Sequence, residues 1–465
     1  MTDKSLMPVR VNLVEPLPDT GTAMRATDTV APQGELWSDA VDEVIGARLR
    51  PVDVDSSTTR RTRATTRSPR TSPTATATGT TRTTSCASGP SADSPFAAPE
   101  DLLEQLVVAW LDCRRSKRQS ASAQAFEHNA ERNLCALRER LTAGHYQPGR
   151  SICFVVTHPK PREVWAASFE DRVVHHLLYN HIGPRFEASF VAGSAACIEG
   201  RGTLYAARRL EHDVRSITSN WSRPAWYLKG DLANFFVGID KHILRAQLHA
   251  RVTEPWWKHL TDTVLMHDPR TDFELRCDPR LLERVPPHKR LVNAPADTGL
   301  PIGNLSSQFF ANVHLDALDQ FAKHQLRVRY WGRYVDDFYI LHESPQWLNG
   351  ALARITAFLP ERLGAQLNPR KTILQPVARG VDFVGQVVRP WRRTTRRRTL
   401  QSALTRLERM PADQVQRAGN SYLGLVRQAS HGLHEQALIC RALLMRGHPV
   451  DGAMTKAFAR MRKVT

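Results

Sequence analysis

The chain has 465 residues and a formal net charge of +18, because 64 Lys and Arg outnumber 46 Asp and Glu. A chain of this length can hold two to four domains, each with its own buried core. The positive charge argues against an acidic protein that mimics a binding partner, and it favours an anionic partner. That partner could be a nucleic acid, a membrane surface or a phosphorylated substrate.

Three patterns are absent from the sequence, and their absence narrows the class of protein. No run approaches the roughly 18–20 apolar residues of a transmembrane helix. The first residues contain no apolar segment of the kind found in secretory signals. The seven Cys are dispersed without a C-x-x-C pair, which is typical of reduced thiols rather than of disulfides or a zinc module. We therefore expect a cytoplasmic protein that does not associate with membranes.

The first 95 residues differ in composition from the rest of the chain. They hold 11 basic and 11 acidic side chains, and a short amphipathic helix is predicted near 36–49. Residues 56–85 contain 13 Thr, 5 Ser, 6 Arg and no acidic residue. Such a tract buries too little apolar surface to offset the entropy lost on ordering. We predict that residues 1–95 are largely disordered, with a linker that serves as a solvated spacer or touches nucleic acid.

Helices and strands are predicted along the remaining chain from the spacing of its apolar residues. The predicted helices are 102–110, 123–141, 169–182, 204–217, 305–325 and 347–363. The predicted strands are 152–156, 226–232, 327–331, 338–342 and 372–376, followed by a hairpin at 381–389. After residue 389 the apolar pattern is helical, with Arg-rich faces. Because the elements alternate without the rhythm of a parallel βαβ array, we expect an α+β core followed by a helical module.

Two adjacent carboxylates, Asp336 and Asp337, occur in an otherwise apolar predicted hairpin that reads Tyr334-Val335-Asp336-Asp337. Burying two carboxylates is costly unless a cation neutralises them. Mg²⁺ prefers carboxylate oxygens, and phosphates can complete its coordination shell. The pattern therefore indicates a metal site, although Asp-Asp is also common in ordinary polar turns.

A third carboxylate, Asp231, ends the predicted strand that precedes Phe235 and Phe236. A single Asp in this position is commonly a turn residue or a helix N-cap. With Asp336 and Asp337 it would complete a two-metal site, which stabilises the attacking and leaving oxygens of an in-line phosphoryl displacement.

A turn at 299–303 opens directly into the long predicted helix, and we expect Ser306 near the N-cap of that helix. Backbone at such a helix start can approach a nucleotide or a template closely. A plain capped loop fits the same pattern.

These three segments, taken in this order, resemble the palm of a reverse transcriptase. The hairpin is similar to the Tyr-x-Asp-Asp motif of that family, and Asp231 is similar to its first metal-binding Asp. Phe236 resembles the aromatic residue that screens the 2′ position of the sugar. The resemblance extends over about 126–448.

The segment Ile302–Gln308 narrows the resemblance, since retroviral enzymes typically have Gln in place of Ile302 and Pro in place of Gln308. The pattern is similar to that of reverse transcriptases from diversity-generating retroelements, within the group II intron- and retron-like bacterial superfamily. Three further segments, 154–167, 171–180 and 420–424, resemble the same subgroup. The resemblance implies error-prone copying. Ile302 offers shape where Gln offers a hydrogen bond, so we expect weaker discrimination of base-pair geometry.

The resemblance also implies roles for individual residues. Asp231, Asp336 and Asp337, with Leu232 beside them, would hold two Mg²⁺ ions, with Mn²⁺ as an alternative. Lys371 would be the general acid for the departing pyrophosphate, or else a solvated loop lysine. The implied nucleotide-binding residues are Lys160, Arg162, Phe236, Ile302, Gly303, Gln308 and Lys371.

The run Arg389–Arg398 contains six Arg and no acidic residue, and residues 389–465 carry 16 basic and 4 acidic side chains. Basic faces of this kind bind the phosphate backbone with salt-dependent affinity that ignores sequence. Trp391 could stack on a base or ribose, or else pack within the protein. The predicted nucleic-acid-binding residues are Tyr334, Trp391, Arg392, Arg393, Arg396, Arg397 and Arg398.

The expected protein is a right-hand polymerase that copies template RNA into cDNA from dNTPs and binds the RNA/DNA duplex. Its expected parts are an extension (1–95), N-terminal helices and fingers (96–225), a palm with a fingers insertion (226–388) and a basic helical thumb (389–465). The resemblance further implies a small basic helical accessory protein. Two alternatives stay open, namely a related reverse transcriptase of antiphage defence and a catalytically inactive nucleic-acid-binding protein.

Overall fold

The computed structural model describes residues 97–115, 120–158 and 160–460, all within the compact unit Gln33–Thr465. The predictions for residues 1–95, including the helix near 36–49 and the Thr/Ser/Arg-rich linker, lie outside the described residues. Within those residues, no helix combines the length and the apolar character that crossing a bilayer requires.

Three N-terminal helices, α1 (Leu102–Arg114), α2 (Ala121–His128) and α3 (Ala130–Thr142), open the described chain. The sequence predicts a single helix over 123–141, whereas the structure has two. The reason is Asn129, whose φ of −127° and ψ of 41° interrupt the helical backbone. Both α1 and α3 pack with their apolar faces in the main hydrophobic core.

The first sheet has three strands in the order β2-β1-β4. Strands β1 (Ser151–Val156) and β2 (Arg162–Ala166) form an antiparallel hairpin, and β4 (Phe273–Leu275) pairs in parallel with β1. Helices α4 (Phe169–Glu187) and α5 (Thr203–Ile217) follow the hairpin. Both helices contribute buried apolar side chains to the main core, as their predicted periodicity requires.

The central sheet has four antiparallel strands in the order β5-β6-β3-β7. Their bounds are Trp226–Asp231 for β3, Tyr330–Tyr334 for β5, Asp337–His342 for β6 and Ile373–Pro376 for β7. Helix α11 (Pro345–Leu363) and helix α5 pack against this sheet. Strands β3 and β6 are buried on both faces, so they read as nearly continuous apolar runs.

The segment between β3 and β5 is mostly helical. Its helices are α6 (Phe235–Gly238), α7 (Lys241–His249), α8 (Pro255–Met266), α9 (Pro279–Glu283) and α10 (Leu305–Gln320), with two 3₁₀ turns at Pro287–Lys289 and Leu291–Asn293. The predicted helix over 305–325 changes to a π-helical turn at Phe321–Gln325. Ser306 lies near the N-cap of α10, as the sequence predicts, two residues after the cap residue. Asn304 is the cap residue, its Oδ1 accepts a hydrogen bond from the Ala167 amide at 3.1 Å, and Ser306 is buried inside the helix.

The third sheet, β10-β9-β8, precedes three C-terminal helices. The strands are β8 (Val381–Phe383), β9 (Gln386–Arg389) and β10 (Arg392–Thr395), and the helices are α12 (Arg397–Arg409), α13 (Ala412–Val426) and α14 (Leu433–Met445). These helices enclose a hydrophobic core of their own. The sequence predicts helix directly after residue 389, and β10 corrects this. The buried residues of β10 are Arg393 and Thr395. Because neither is apolar, the sequence lacks the alternation of apolar and polar residues that predicts a strand.

Candidate active site

The three predicted carboxylates meet at one end of the central sheet. Asp231, the last residue of β3, is the Cα partner of Asp337, the first residue of β6. Asp336 lies in the turn between β5 and β6, and its carbonyl oxygen accepts a hydrogen bond from the Leu232 amide at 3.3 Å. The exposed fractions of Asp231, Asp336 and Asp337 are 0%, 5% and 1%. Strand register therefore gathers, in a buried position, three acids that are distant in sequence.

Burial and the charges of neighbouring acids make Asp336 and Asp231 weaker acids than usual. Burial raises the pKa of Asp336 to about 8, and the charges of Asp231 and Asp337 add to the effect. Burial also raises the pKa of Asp231 to about 6, again with a contribution from the Asp337 charge. The site is therefore electrostatically suited to a cation, which would relieve both effects.

Two lysines supply part of that positive charge. Lys371 Nζ donates to both carboxylate oxygens of Asp231, each at 2.9 Å. Lys229 Nζ lies 3.6 Å from Asp337 Oδ2 and donates to the Asp382 carbonyl oxygen at 3.3 Å. The Asn368 amide donates to the Asp231 carbonyl oxygen at 2.8 Å, which fixes the loop that carries Lys371 against the end of β3.

The donor set suits a divalent metal ion in charge and chemistry. Asp337 Oδ1 is buried and receives no hydrogen bond from the described residues, so one carboxylate oxygen is available as a ligand. Among those residues, no group of three or more His, Cys, Asp or Glu side chains has the arrangement of a preformed metal site. Mg²⁺ is commonly held by one or two carboxylates while substrate phosphates complete its shell. The arrangement fits that kind of site and does not fit a closed structural site.

Besides Lys229, four cationic side chains lie near one another beside the acids, namely Lys160, Arg162, Lys289 and Lys371. Burial lowers the pKa of Lys160 to about 8, and Lys289, Lys371, Arg398 and Arg162 lower it further by repulsion. Burial also lowers the pKa of Arg162, while the Asp336 and Asp231 charges oppose that change. The structure therefore brings together the predicted cations at 160, 162 and 371. This concentration of positive charge in a partly buried site is suited to a polyphosphate.

Lys289 is a member of this group that the sequence analysis missed. Burial lowers its pKa, as do the charges of Lys371 and Arg162, whereas Asp231 and Asp336 raise it. It ends a 3₁₀ turn in the segment between β4 and α10. The segment is held against β2, because the Leu291 amide donates to Glu163 Oε1 at 3.1 Å. No local motif marks this lysine, since only tertiary contacts bring it near the acids.

The remaining predicted nucleotide-binding residues lie in three places, namely the 299–303 turn, α6 and α10. The Ile302 carbonyl oxygen accepts a hydrogen bond from the Trp165 amide at 2.7 Å, which fastens the 299–303 turn to β2. Gly303 has a φ of +125°, and a Cβ there would lie 2.9 Å from the Trp165 carbonyl oxygen, so other residues would be strained. Phe236 is buried in α6, the helix that follows β3, and Gln308 is half-buried in the first turns of α10.

The predicted nucleic-acid-binding residues divide into exposed and buried groups. Trp391, Arg392, Arg397 and Arg398 are exposed, whereas Tyr334, Arg393 and Arg396 are buried. Arg393 Nε donates to Glu211 Oε2 at 2.9 Å, and Arg396 Nε donates to Asp382 Oδ2 at 2.7 Å. These two guanidinium groups join the third sheet to its neighbours. Of the seven predicted residues, only Trp391, Arg392, Arg397 and Arg398 are therefore exposed to solvent.

Lys229 is a second residue near the acids that the sequence analysis did not single out. A signal for it exists, because residues two apart in a strand point to the same face. Lys229 precedes Asp231 by two positions in β3 and hence lies on the same face as that acid. Arg333, which contacts the β5–β6 turn, has no comparable signal in the sequence.

An antiparallel sheet that ends in three buried carboxylates, faced by a group of cations, is suited to nucleotidyl transfer. Residues 159–388 match the family model described as reverse transcriptase (RNA-dependent DNA polymerase). This match covers just under half of the chain, and it makes the segment similar to reverse transcriptase domains.

Solved structures of two telomerases resemble the chain at 12% sequence identity. One is telomerase from Candida albicans in complex with a TWJ fragment of telomeric RNA, with a TM-score of 0.41 over 64% of this chain and 54% of that one. The other is apo telomerase from Candida tropicalis truncated from its C-terminal domain, with a TM-score of 0.37 over 52% and 54%. The chain thus spans about half of the length of either telomerase. A comparison with curated protein sequences finds no match.

Proposed function

We propose that this protein is an RNA-directed DNA polymerase, which adds deoxynucleotides to a primer 3′-hydroxyl on an RNA template. The observation that carries the proposal is the meeting of Asp231, Asp336 and Asp337 at the end of the central sheet, within the matched domain. In this interpretation the central sheet is the palm. The first sheet and the helices around it belong to the fingers, and α12–α14 form the thumb.

Asp231, Asp336 and Asp337, together with the Leu232 carbonyl group, would hold two Mg²⁺ ions, or Mn²⁺ in their place. When bound, such ions lower the pKa of the attacking hydroxyl and neutralise charge on the departing pyrophosphate. The chain supplies the position of the ligands. Strand register fixes Asp231 opposite Asp337, and the Leu232 amide fixes the Asp336 carbonyl group.

Lys160, Arg162 and Lys289 would bind the triphosphate of the incoming dNTP, since charge-assisted hydrogen bonds to phosphate are strong. Lys371 would leave the Asp231 carboxylate for a phosphate oxygen and donate a proton to the pyrophosphate as it departs. Its position supports this role, because its ammonium group touches the acid that would carry the metal.

The nucleoside would lie between the 299–303 turn and α6. Phe236 would exclude ribonucleotides by steric conflict with the 2′-hydroxyl. The backbone at Ile302 and Gly303, which is fastened to β2 through Trp165, would pack against the template and the incoming base, and Gln308 would contact the nucleotide from α10. A rigid surface of this kind favours bases by shape, since Ile302 offers no side-chain hydrogen bond.

The exposed group Trp391, Arg392, Arg397 and Arg398 would contact the template–primer duplex where it leaves the active site. The support is exposure combined with charge, because all three arginines are open to solvent at the start of the thumb. Tyr334, which is buried at the end of β5, would act on the primer side of the site only through the main chain.

We further propose that the enzyme belongs to a diversity-generating retroelement, copies with many errors and works with a small basic accessory protein. The support is the Ile302–Gln308 segment and the related segments at 154–167, 171–180 and 420–424. Genomic neighbourhood tests this point. A template and variable repeat pair that differs at adenines favours mutagenic copying, whereas its absence favours antiphage defence.

Primer extension on an RNA template with dNTPs and Mg²⁺ tests the polymerase activity. We expect the wild-type protein to extend the primer, either alone or when co-expressed with the accessory protein from a neighbouring gene. Asp336→Asn should abolish incorporation, and Asp272→Asn, an exposed and matched acid-to-amide change, should not. Mg²⁺-dependent extension by Asp336→Asn would contradict the catalytic assignment. A folded wild-type protein that binds RNA but does not extend the primer, even with the accessory protein present, would indicate a catalytically inactive nucleic-acid-binding protein.

A further inference from the structure

Arg333 is a fully buried arginine in β5, and its partner Asp319 in α10 is equally buried, each with an exposed side-chain fraction of 0%. Arg333 Nε donates to Asp319 Oδ1 at 2.9 Å, and Nη2 donates to Oδ2 at 2.7 Å. The two planar groups thus form a bidentate pair, the geometry in which Arg differs most from Lys.

The same guanidinium group reaches the turn that carries Asp336. Arg333 Nη1 donates to the Val335 carbonyl oxygen at 3.0 Å, and Nη2 donates to Ser194 Oγ at 2.9 Å. The main chain of Arg333 is also fixed, since its amide donates to Gly193 O and its carbonyl oxygen accepts from Ala195 N. Arg333 therefore links α10 and residues 193–195 to the β5–β6 turn.

The turn needs such support because its backbone is strained. Val335 has a φ of +54°, and a β-branched residue is seldom found in this left-handed region. Strain of this kind costs of order 1–3 kcal/mol and persists only where the surroundings impose it. The hydrogen bond from Arg333 to the Val335 carbonyl group and the one from Leu232 to the Asp336 carbonyl group act on both central residues of the turn.

We propose that Arg333 is a positioning residue, which holds the Val335–Asp336 turn in its strained conformation and thereby sets the Asp336 carboxylate for metal binding and nucleotidyl transfer. The inference rests on the proposed function. Stability alone is a weak explanation for this ion pair, since buried pairs are often no more stabilising than apolar residues of the same volume.

Arg333→Lys separates positioning from charge. Lysine keeps the positive charge beside Asp319, but it lacks the planar guanidinium group whose N–H groups donate to Asp319 and Val335 at the same time. We expect kcat for dNTP incorporation to fall about tenfold to a hundredfold, while KM for dNTP changes less than about threefold because the triphosphate cations are untouched. Mn²⁺ binding in the absence of nucleic acid, measured by electron paramagnetic resonance, should weaken at least about fivefold.

Trp331→Phe is the matched control. It removes the other side-chain donor to Asp319, since Trp331 Nε1 donates to Asp319 Oδ1 at 2.8 Å, but it leaves the bond to the Val335 carbonyl group intact. We expect a comparable loss of thermal stability with wild-type kcat and Mn²⁺ affinity. Equal losses of Mn²⁺ affinity in Arg333→Lys and Trp331→Phe would overturn the proposal.

Val335→Gly provides a rescue, because glycine adopts positive φ without strain. In the Arg333→Lys background it should restore at least about half of the lost Mn²⁺ affinity, and no restoration would count against the role of strain. If Arg333→Lys does not fold, Ser194→Ala can be used in its place, because it removes one hydrogen-bond acceptor of Arg333. We expect Ser194→Ala to lower kcat and Mn²⁺ affinity as well. An inactive wild-type protein would reject the proposed polymerase activity, whereas the Mn²⁺ measurements would still decide the role of Arg333.

Discussion

Lys229 Nζ lies 3.6 Å from Asp337 Oδ2, and both side chains are buried. The same ammonium group donates to the Asp382 carbonyl oxygen in β8, while the Asp382 carboxylate pairs with Arg396 at the start of α12. A line of polar contacts therefore connects Asp337 to the first of the C-terminal helices. A change that moves the third sheet would therefore also move Lys229, the cation beside Asp337.

Lys229→Met should leave Asp337 buried without its nearby cation. Removal of one partner from a buried pair costs about 3–5 kcal/mol, so we expect a loss of this order in the free energy of unfolding measured with urea and EDTA. Lys241→Met is the matched control, because Lys241 is also buried and donates to the His267 carbonyl oxygen. In the Asp337→Asn background the effect of Lys229→Met should shrink, and an unchanged effect would contradict the pairing.

Lys289→Ala should weaken binding of the incoming nucleotide. Its charge acts in the same space as Lys371 and Arg162, so we expect KM for dNTP to rise about fivefold to tenfold with little change in kcat. His288→Ala, a change at the exposed neighbouring residue, should leave both constants unaltered. Equal KM values for the two variants in steady-state primer extension would remove Lys289 from the phosphate-binding group.

The metal-free protein should lose stability as pH rises. The pKa values of Asp231 and Asp336 are about 6 and about 8 in the folded state, above the usual value of 3.8. The folded state therefore binds more protons than the unfolded state between about pH 4 and 8, and its stability falls through that window. We expect added Mg²⁺ to restore stability progressively more as pH rises, because it binds the ionised carboxylates.

Chemical unfolding at about pH 5 to 8, with EDTA or Mg²⁺, measures this dependence. Asp336→Asn should flatten the pH dependence in EDTA, and the exposed change Asp272→Asn should not. A stabilising effect of Mg²⁺ that does not vary with pH would contradict the assignment.

Replacement of exposed arginines near residue 390 should affect nucleic-acid binding, whereas replacement of a buried one should affect stability. Replacement of Arg392, Arg397 and Arg398 by Ala should weaken RNA/DNA duplex binding and lower the slope of log affinity against log salt by about 2–3. Arg393→Ala should instead lower thermal stability, because Glu211 would lose its buried partner. Fluorescence anisotropy at several salt concentrations, with scanning calorimetry, separates the two effects. A reduced salt slope in Arg393→Ala alone would reverse the assignment.

Ile302→Gln should lower the misincorporation rate, above all opposite template adenine. The substitution adds an amide that can hydrogen-bond near the nucleotide, whereas Ile offers only shape. Ile302→Val, which keeps an apolar side chain, is the control. Sequencing of cDNA made from a defined RNA template gives the error spectrum, and an identical spectrum for wild type and Ile302→Gln would count against this role.

The amino-acid sequence alone predicted the elements that carry their own apolar periodicity and the three carboxylates. The apolar residues of β3 and β6 were enough to place Asp231 at the end of a strand and the Asp336–Asp337 pair between the two strands of a hairpin. The match of residues 159–388 confirms the reverse transcriptase class that these motifs indicated. Local patterns failed at β10, whose buried positions are Arg and Thr, and at Asn129, which divides one predicted helix into two.

Only the tertiary structure decided which charged residues face the acids. The segment that carries Lys289 is held to β2 by the hydrogen bond from the Leu291 amide to Glu163. Lys229 lies on the same face of β3 as Asp231, the partner of Asp337, and Arg333 reaches the turn from within the core. The roles of the residues that make up the +18 charge also depend on the fold, since Arg393 and Arg396 are buried and paired with acidic side chains while Arg392, Arg397 and Arg398 stay exposed. The physical reason is that electrostatic interaction depends on distance and burial, and neither quantity can be obtained from residue type or local spacing.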